Sequence, residues 1–161
     1  MCFRRSILAG LAASVLALSF GLAACGGDDD GGSTAGGTGT DAKYVQSICS
    51  AFLDFSNALE DAGRESRSPS EKEAAALVVK PLETYVKALK KANPPADAVE
   101  YHASVVARWE AALDAIKADE NLASLAGIDA AGEGAPPAVR DRLRAVSDAN
   151  ATCQDADFSI R

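Results

Sequence analysis

Residues 45–59 read VQSICSAFLDFSNAL, with apolar side chains at Val45, Ile48, Phe52, Phe55 and Leu59. Steps of three and four return each of these to one side of a helix with 3.6 residues per turn, so the stretch is an amphipathic helix with one continuous seam, ending near Gly63. The same period recurs downstream. Ser70 and Glu73 are spaced as a capping box and open a second helix whose stripe is Ala75, Val78, Leu82, Tyr85, Leu89 and Ala92. Pro81 lies inside that run and cannot donate to the carbonyl of Leu77, which predicts a kink or a break into two shorter helices. Pro94-Pro95 starts a third helix with Val99, His102, Val106, Trp109, Leu113 and Ile116 on its face. The pattern loses phase over residues 119–135, the longest connection, which has room for a short extra helix. Pro136-Pro137 then starts the last helix, with a stripe of Val139, Leu143, Val146, Asn150 and Cys153, before a tail carrying Phe158 and Ile160.

Nothing in the chain alternates as a strand, and only four Gly follow Thr40. The expected fold is therefore all-α: an up-down-up-down four-helix bundle over residues 41–161, each helix burying its stripe in a common core. The whole chain has 161 residues, enough for one domain of ordinary size. Its net charge of −7, without a cluster of Lys and Arg, argues against nucleic acid as a partner.

Upstream of the helices, Arg4-Arg5 precedes an apolar run from Ile7 to Leu22, which ends in Leu22-Ala23-Ala24-Cys25. A basic start, an apolar stretch shorter than a membrane span and small residues before a cleavage point read as a secretory signal peptide over residues 1–24. The closing tetrapeptide resembles the lipobox of bacterial lipoproteins. That resemblance implies cleavage before Cys25, a diacylglyceryl group on the Cys25 sulfur, and anchorage at the extracytoplasmic face of the cell membrane. The alternative is cleavage by the general signal peptidase, with Cys25 a bystander thiol. Arg4-Arg5-Ser6 also has a partial likeness to a twin-arginine export signal, although paired Arg is common in general signals as well. Residues 25–40 hold the lipidated Cys followed by Gly, Asp, Ser and Thr without a large apolar side chain, the composition of a flexible tether. Loss of residues 1–24 removes two Arg and no acid, which moves the net charge from −7 to −9.

Cys2 leaves with the leader and Cys25 is assigned to the lipid, so Cys49 and Cys153 remain in the helical part. Outside the cytoplasm two such thiols pair, and neither has the close Cys or His neighbours of a metal site. A disulfide between the first and last helices would close a loop of about 104 residues. In the expected topology it also puts the tether at the crosslinked end, so that residues 63–69 and 119–135 face away from the membrane.

The search for chemistry returns few candidates. His102 is the only His, and no carboxylate stands three or four residues from it, so metal ligation lacks partners and no metal is expected. A packed core role is the simplest for it, with general base as an alternative. No Gly-x-Ser-x-Gly elbow and no phosphate-cradling Gly loop occurs. Trp109, Tyr85, Tyr101, Phe52 and Phe55 either fill the core or line an apolar cavity, in which case His102, Trp109 and Tyr101 are the ligand-contacting candidates. Haem ligation would rest on His102 with a second ligand such as Tyr101. Arg140, Arg142 and Arg144 spread around the last helix, and a solvated face is expected for them. The chain is also similar to small helical lipoproteins of high-GC Gram-positive bacteria that carry such a tether and one Cys near each end of the helical body; the likeness is architectural and transfers no catalytic residue. Function is thus expected to be non-enzymatic binding or scaffolding at the cell envelope, with an envelope protein or a small apolar ligand as partner and no resident cofactor. A hydrophobic-ligand or haem-binding bundle and an enzyme using His102 are the alternatives.

Overall fold

The computed structural model describes residues 37–65, 68–126, 128 and 134–160. All of them lie in one compact unit, Thr34–Arg161. The expected signal peptide, Cys25 and most of the expected tether lie outside the described residues. Within them the elements are helical: α1 (Asp41–Glu65), α2 (Glu71–Lys91), α3 (Val99–Asp119), α4 (Pro137–Asp148) and a short α5 (Ala151–Asp155). Brief 3₁₀ turns at Ala96–Ala98 and Ala123–Leu125 flank α3.

Local chemistry sets the ends of these helices. Thr40 caps α1, its hydroxyl accepting from the Lys43 amide and its carbonyl from the Tyr44 amide. Ser70 and Glu73 form the expected capping box, the Ser70 hydroxyl accepting from the Glu73 amide and the Glu73 carboxylate from the Ser70 amide. Helix α2 runs through Pro81 without a break. It does so because one missing amide removes a single rung, while burial of Ala75, Leu82, Tyr85, Val86 and Leu89 holds the turns on either side.

Helices α1, α2 and α3 alternate in direction. Between α2 and α3, Lys72 pairs with Glu120 at one end and Lys90 with Glu110 toward the other, the sense of antiparallel neighbours. Tyr44 meets His102 and Phe55 meets Trp109, so α1 and α3 run the same way. The last part of the chain departs from simple alternation. Arg142 pairs with Asp41, Asn150 with Gln46, Cys153 with Cys49, and Phe158 with Phe52. Both members of these pairs rise together, so the chain from α4 to the tail climbs alongside α1 in parallel. Residues 119–135 bring this about. Ser124 already bonds back to the Ala112 carbonyl, and the chain then delivers α4 to Asp41 and Asp97 at the opposite end of α3.

The last helix is also in two pieces. Asn150, placed by periodicity on a continuous stripe, is instead the N-cap of α5, its side-chain oxygen accepting from the Cys153 amide. Asn competes for backbone donors in this way, which favours a helix start over a helix interior. The Cys49–Cys153 disulfide is formed, with Cα atoms 4.9 Å apart and both residues fully buried. Asn150 donates to Gln46, and Gln46 donates to Thr152, so hydrogen bonds flank the crosslink.

Two further placements differ from expectation. Gly37–Thr40, counted with the tether, pack on the connection between α2 and α3: the Gly39 amide donates to the Pro94 carbonyl, and Thr38 and Asn93 exchange two hydrogen bonds. Only glycine fits at 39, where a Cβ would lie 1.8 Å from the Asn93 carbonyl oxygen. Arg142 is not merely solvated. It donates through Nε to Asp41 at 2.7 Å and through both terminal nitrogens to Asp97 at 2.7 and 2.8 Å, joining α4 to the starts of α1 and α3. This two-pronged contact holds the Asp97 carboxyl below its ordinary range and raises the guanidinium of Arg142 further.

Candidate functional site

The aromatic residues are few, and the fold gathers them. Tyr85, on the inner face of α2, stacks on Phe55 with ring centroids 5.1 Å apart and meets Trp109 edge-on at 5.1 Å. Phe52 touches both Tyr85 and Phe158, so the tail closes one side of the cluster. Beside it lies a cavity of about 300 Å³ between α1, α2, α3 and the tail. Its wall carries the rings of Tyr44, Phe52, Tyr85, Tyr101, Trp109 and Phe158. Ile48, Leu89, Val105, Ile128 and Ile160 supply the aliphatic part, and Asp157 and Ser159 are its polar contributions from the tail. The volume falls at the lower end of the ~300–1,000 Å³ usual for small-molecule sites.

Tyr101 and Trp109, two of the three ligand-contacting candidates, are therefore on the wall. The third, His102, is not among the lining residues. Its Nδ1 lies 3.1 Å from the Tyr44 hydroxyl oxygen, and the two rings meet edge to face at 5.4 Å. His102 thus stands behind Tyr44 and helps to hold it. Burial pulls its pKa below the ordinary value, partly offset by a hydrogen bond to the Leu89 carbonyl, so the imidazole is neutral at pH 7. A haem in this cavity would not find His102 on the wall, and the histidine's partners are a phenol and a backbone carbonyl. Among the described residues, no three His, Cys, Asp or Glu side chains gather as a metal site requires.

The phenols are shifted as well. Burial raises the Tyr44 and Tyr85 hydroxyls well above the usual tyrosine range, and the proximity of Tyr101 adds to both. They act as neutral O–H groups at any physiological pH.

Tyr44 and Val105 escaped the sequence reading as cavity or core positions. Helix α3 buries Tyr101 and Val105 as well as His102, Leu113 and Ile116, because α2 packs on it and Tyr101 and Val105 also line the cavity shared with α1 and the tail. A single stripe read at 3.6-residue spacing finds only one such side. Asp157 and Ser159 gave no periodic signal, and the one hint was the pair of apolar residues in the tail, Phe158 and Ile160.

A second cleft of about 200 Å³ lies between α1 and α2 around Pro81, floored by Ala51, Phe55 and Ala88 and flanked by Asp54 and Lys80. It is smaller, and Phe55 and Tyr85 are its only rings among the described residues. Comparison with known protein families, curated proteins and solved structures returns no match.

Proposed function

We propose that the chain is a lipoprotein held at the extracytoplasmic face of the cell membrane through a lipid on Cys25, and that its helical body works there as a non-enzymatic binding module. One observation carries the anchor: Leu22-Ala23-Ala24-Cys25 closes a basic-then-apolar leader. The Cys49–Cys153 crosslink is in keeping with an oxidising compartment. Among the described residues no helix is long and apolar enough to cross a membrane, and in this reading the lipid is the attachment. Gly37, docked near the start of α1, is where the anchored segment joins the helical body.

Mass spectrometry of the mature protein from a membrane fraction tests this. The expected N-terminus is Cys25 carrying a diacylglyceryl mass, and Cys25→Ser leaves the chain unprocessed. An unmodified N-terminus on exported protein overturns the anchor. Of the two binding roles, the 300 Å³ cavity favours a small ligand over pure scaffolding. Crosslinking in intact cells distinguishes them, since a reproducible envelope-protein partner would favour the scaffold.

A further inference from the structure

The composition of the cavity wall narrows the ligand. The sequence is only 6% aromatic. Yet every aromatic residue downstream of the leader except Phe55 lines this one space. Adjacent rings stand at steep angles: Phe52 to Tyr85 at 71° and Tyr85 to Trp109 at 87°. Rings set this way form the corners of a box, so a guest meets π-systems from several directions. The negative faces of aromatic rings attract cations, most strongly when water is excluded, and boxes of this kind suit alkylated ammonium groups.

Charge points the same way. Among the described residues Asp157 is the one charged side chain on the wall, and no described Lys or Arg lines it. Asp157 is exposed to solvent as well as lining the cavity, and its backbone is held in a left-handed conformation, φ 49°, its amide donating to the Gln154 carbonyl. His102, behind Tyr44, is neutral and opposes no cation. An anionic ligand would meet Asp157 without a counter-charge, while the chain's net charge of −7 favours the approach of a cation.

We propose that the cavity between α1, α2, α3 and the tail binds a small organic cation, an alkylated ammonium of about choline's size, with its methyl groups against the rings and its charge balanced by Asp157. This rests on the binding-module reading but not on the lipid anchor. The tail bearing Asp157 and Phe158 is fixed by the adjacent crosslink at Cys153, by the Phe158 amide donating to the Cys153 carbonyl, and by Arg144 donating to the Ile160 carbonyl. The site is thereby largely formed before the ligand arrives, which lowers the ordering cost of binding.

Calorimetric titration of the full chain in detergent tests the proposal with three probes: choline, its uncharged isostere 3,3-dimethylbutan-1-ol, and phosphocholine. Choline is expected to bind saturably and at least tenfold tighter than the isostere. Phosphocholine, whose phosphate would approach Asp157, is expected to bind more weakly than choline. Asp157→Asn keeps a residue tolerant of the left-handed conformation and should weaken choline at least threefold while leaving the isostere unchanged. Phe158→Leu keeps apolar volume but removes a π face and should weaken choline selectively. Equal affinity for choline and the isostere would make the cavity a plain apolar site and overturn the proposal. So would no binding by any probe, or phosphocholine binding as tightly as choline, which would point to a lipid headgroup. An unacylated Cys25 would leave these results standing, and failed titrations would leave the anchor standing.

Discussion

His102 shows how one side chain can serve a site that it does not enter. Its ring props Tyr44, and burial keeps it neutral. Because the folded pKa is depressed, the unfolded chain binds the extra proton first as pH falls. The contribution to stability is thus complete above the unfolded value of about 6.5 and is lost as pH drops through it toward the lower folded value. His102 is the only His in the chain, so this titration can be isolated by substitution. The melting temperature is expected to fall between pH 7.5 and 5.5, and His102→Gln should flatten that part of the slope. Parallel slopes for the two proteins would show that the imidazole is not the titrating group. At this scale the sequence spoke clearly for the cysteines: with two of the four assigned upstream, one pairing remained, and it is formed. It spoke poorly for Tyr44 and Asp157, whose roles depend on which elements come to lie across from them.

The starts of the elements repay scrutiny, because caps decide where helices begin. Asn150 both caps α5 and donates to Gln46 on α1. Asn150→Ala is expected to cost about 1 kcal/mol, seen as a lower denaturant midpoint and faster amide exchange at Cys153. Unchanged exchange at that amide would mean the cap contributes nothing. Gly39→Ala tests another junction: the new Cβ cannot share space with the Asn93 carbonyl, so residues 37–39 should lift away. The amide of residue 39 should lose its protection while the melting temperature hardly moves, since no core side chain is displaced. Helix positions were legible from the 3.6-residue period and the Ser70–Glu73 box, which are local signals. The continuity of α2 through Pro81 and the division of the last helix at Asn150 were not, because both turn on competition between a local preference and distant packing. In the first case packing prevails, and in the second the cap does.

For the whole molecule, the direction of the last segment is the feature that periodicity could not give. A stripe says that a helix has a buried side, not which way its neighbour runs. An antiparallel last helix and one climbing beside α1 both bring Cys153 to Cys49, so the crosslink alone did not separate them. The bond removes unfolded-state freedom over a loop of about 104 residues, for which the chain-entropy estimate is about 4–5 kcal/mol as an upper figure. Since both sulfurs are buried, reduction under native conditions should be slow and limited by opening of the fold, whereas Cys49→Ala/Cys153→Ala should lower the melting temperature by more than 10 °C. Rapid reduction without unfolding would contradict that burial. The same bond also changes what a protease can accomplish. A single cut anywhere between positions 49 and 153 leaves two pieces still riveted together, so the severed protein would migrate as one band until a thiol is added to the gel sample.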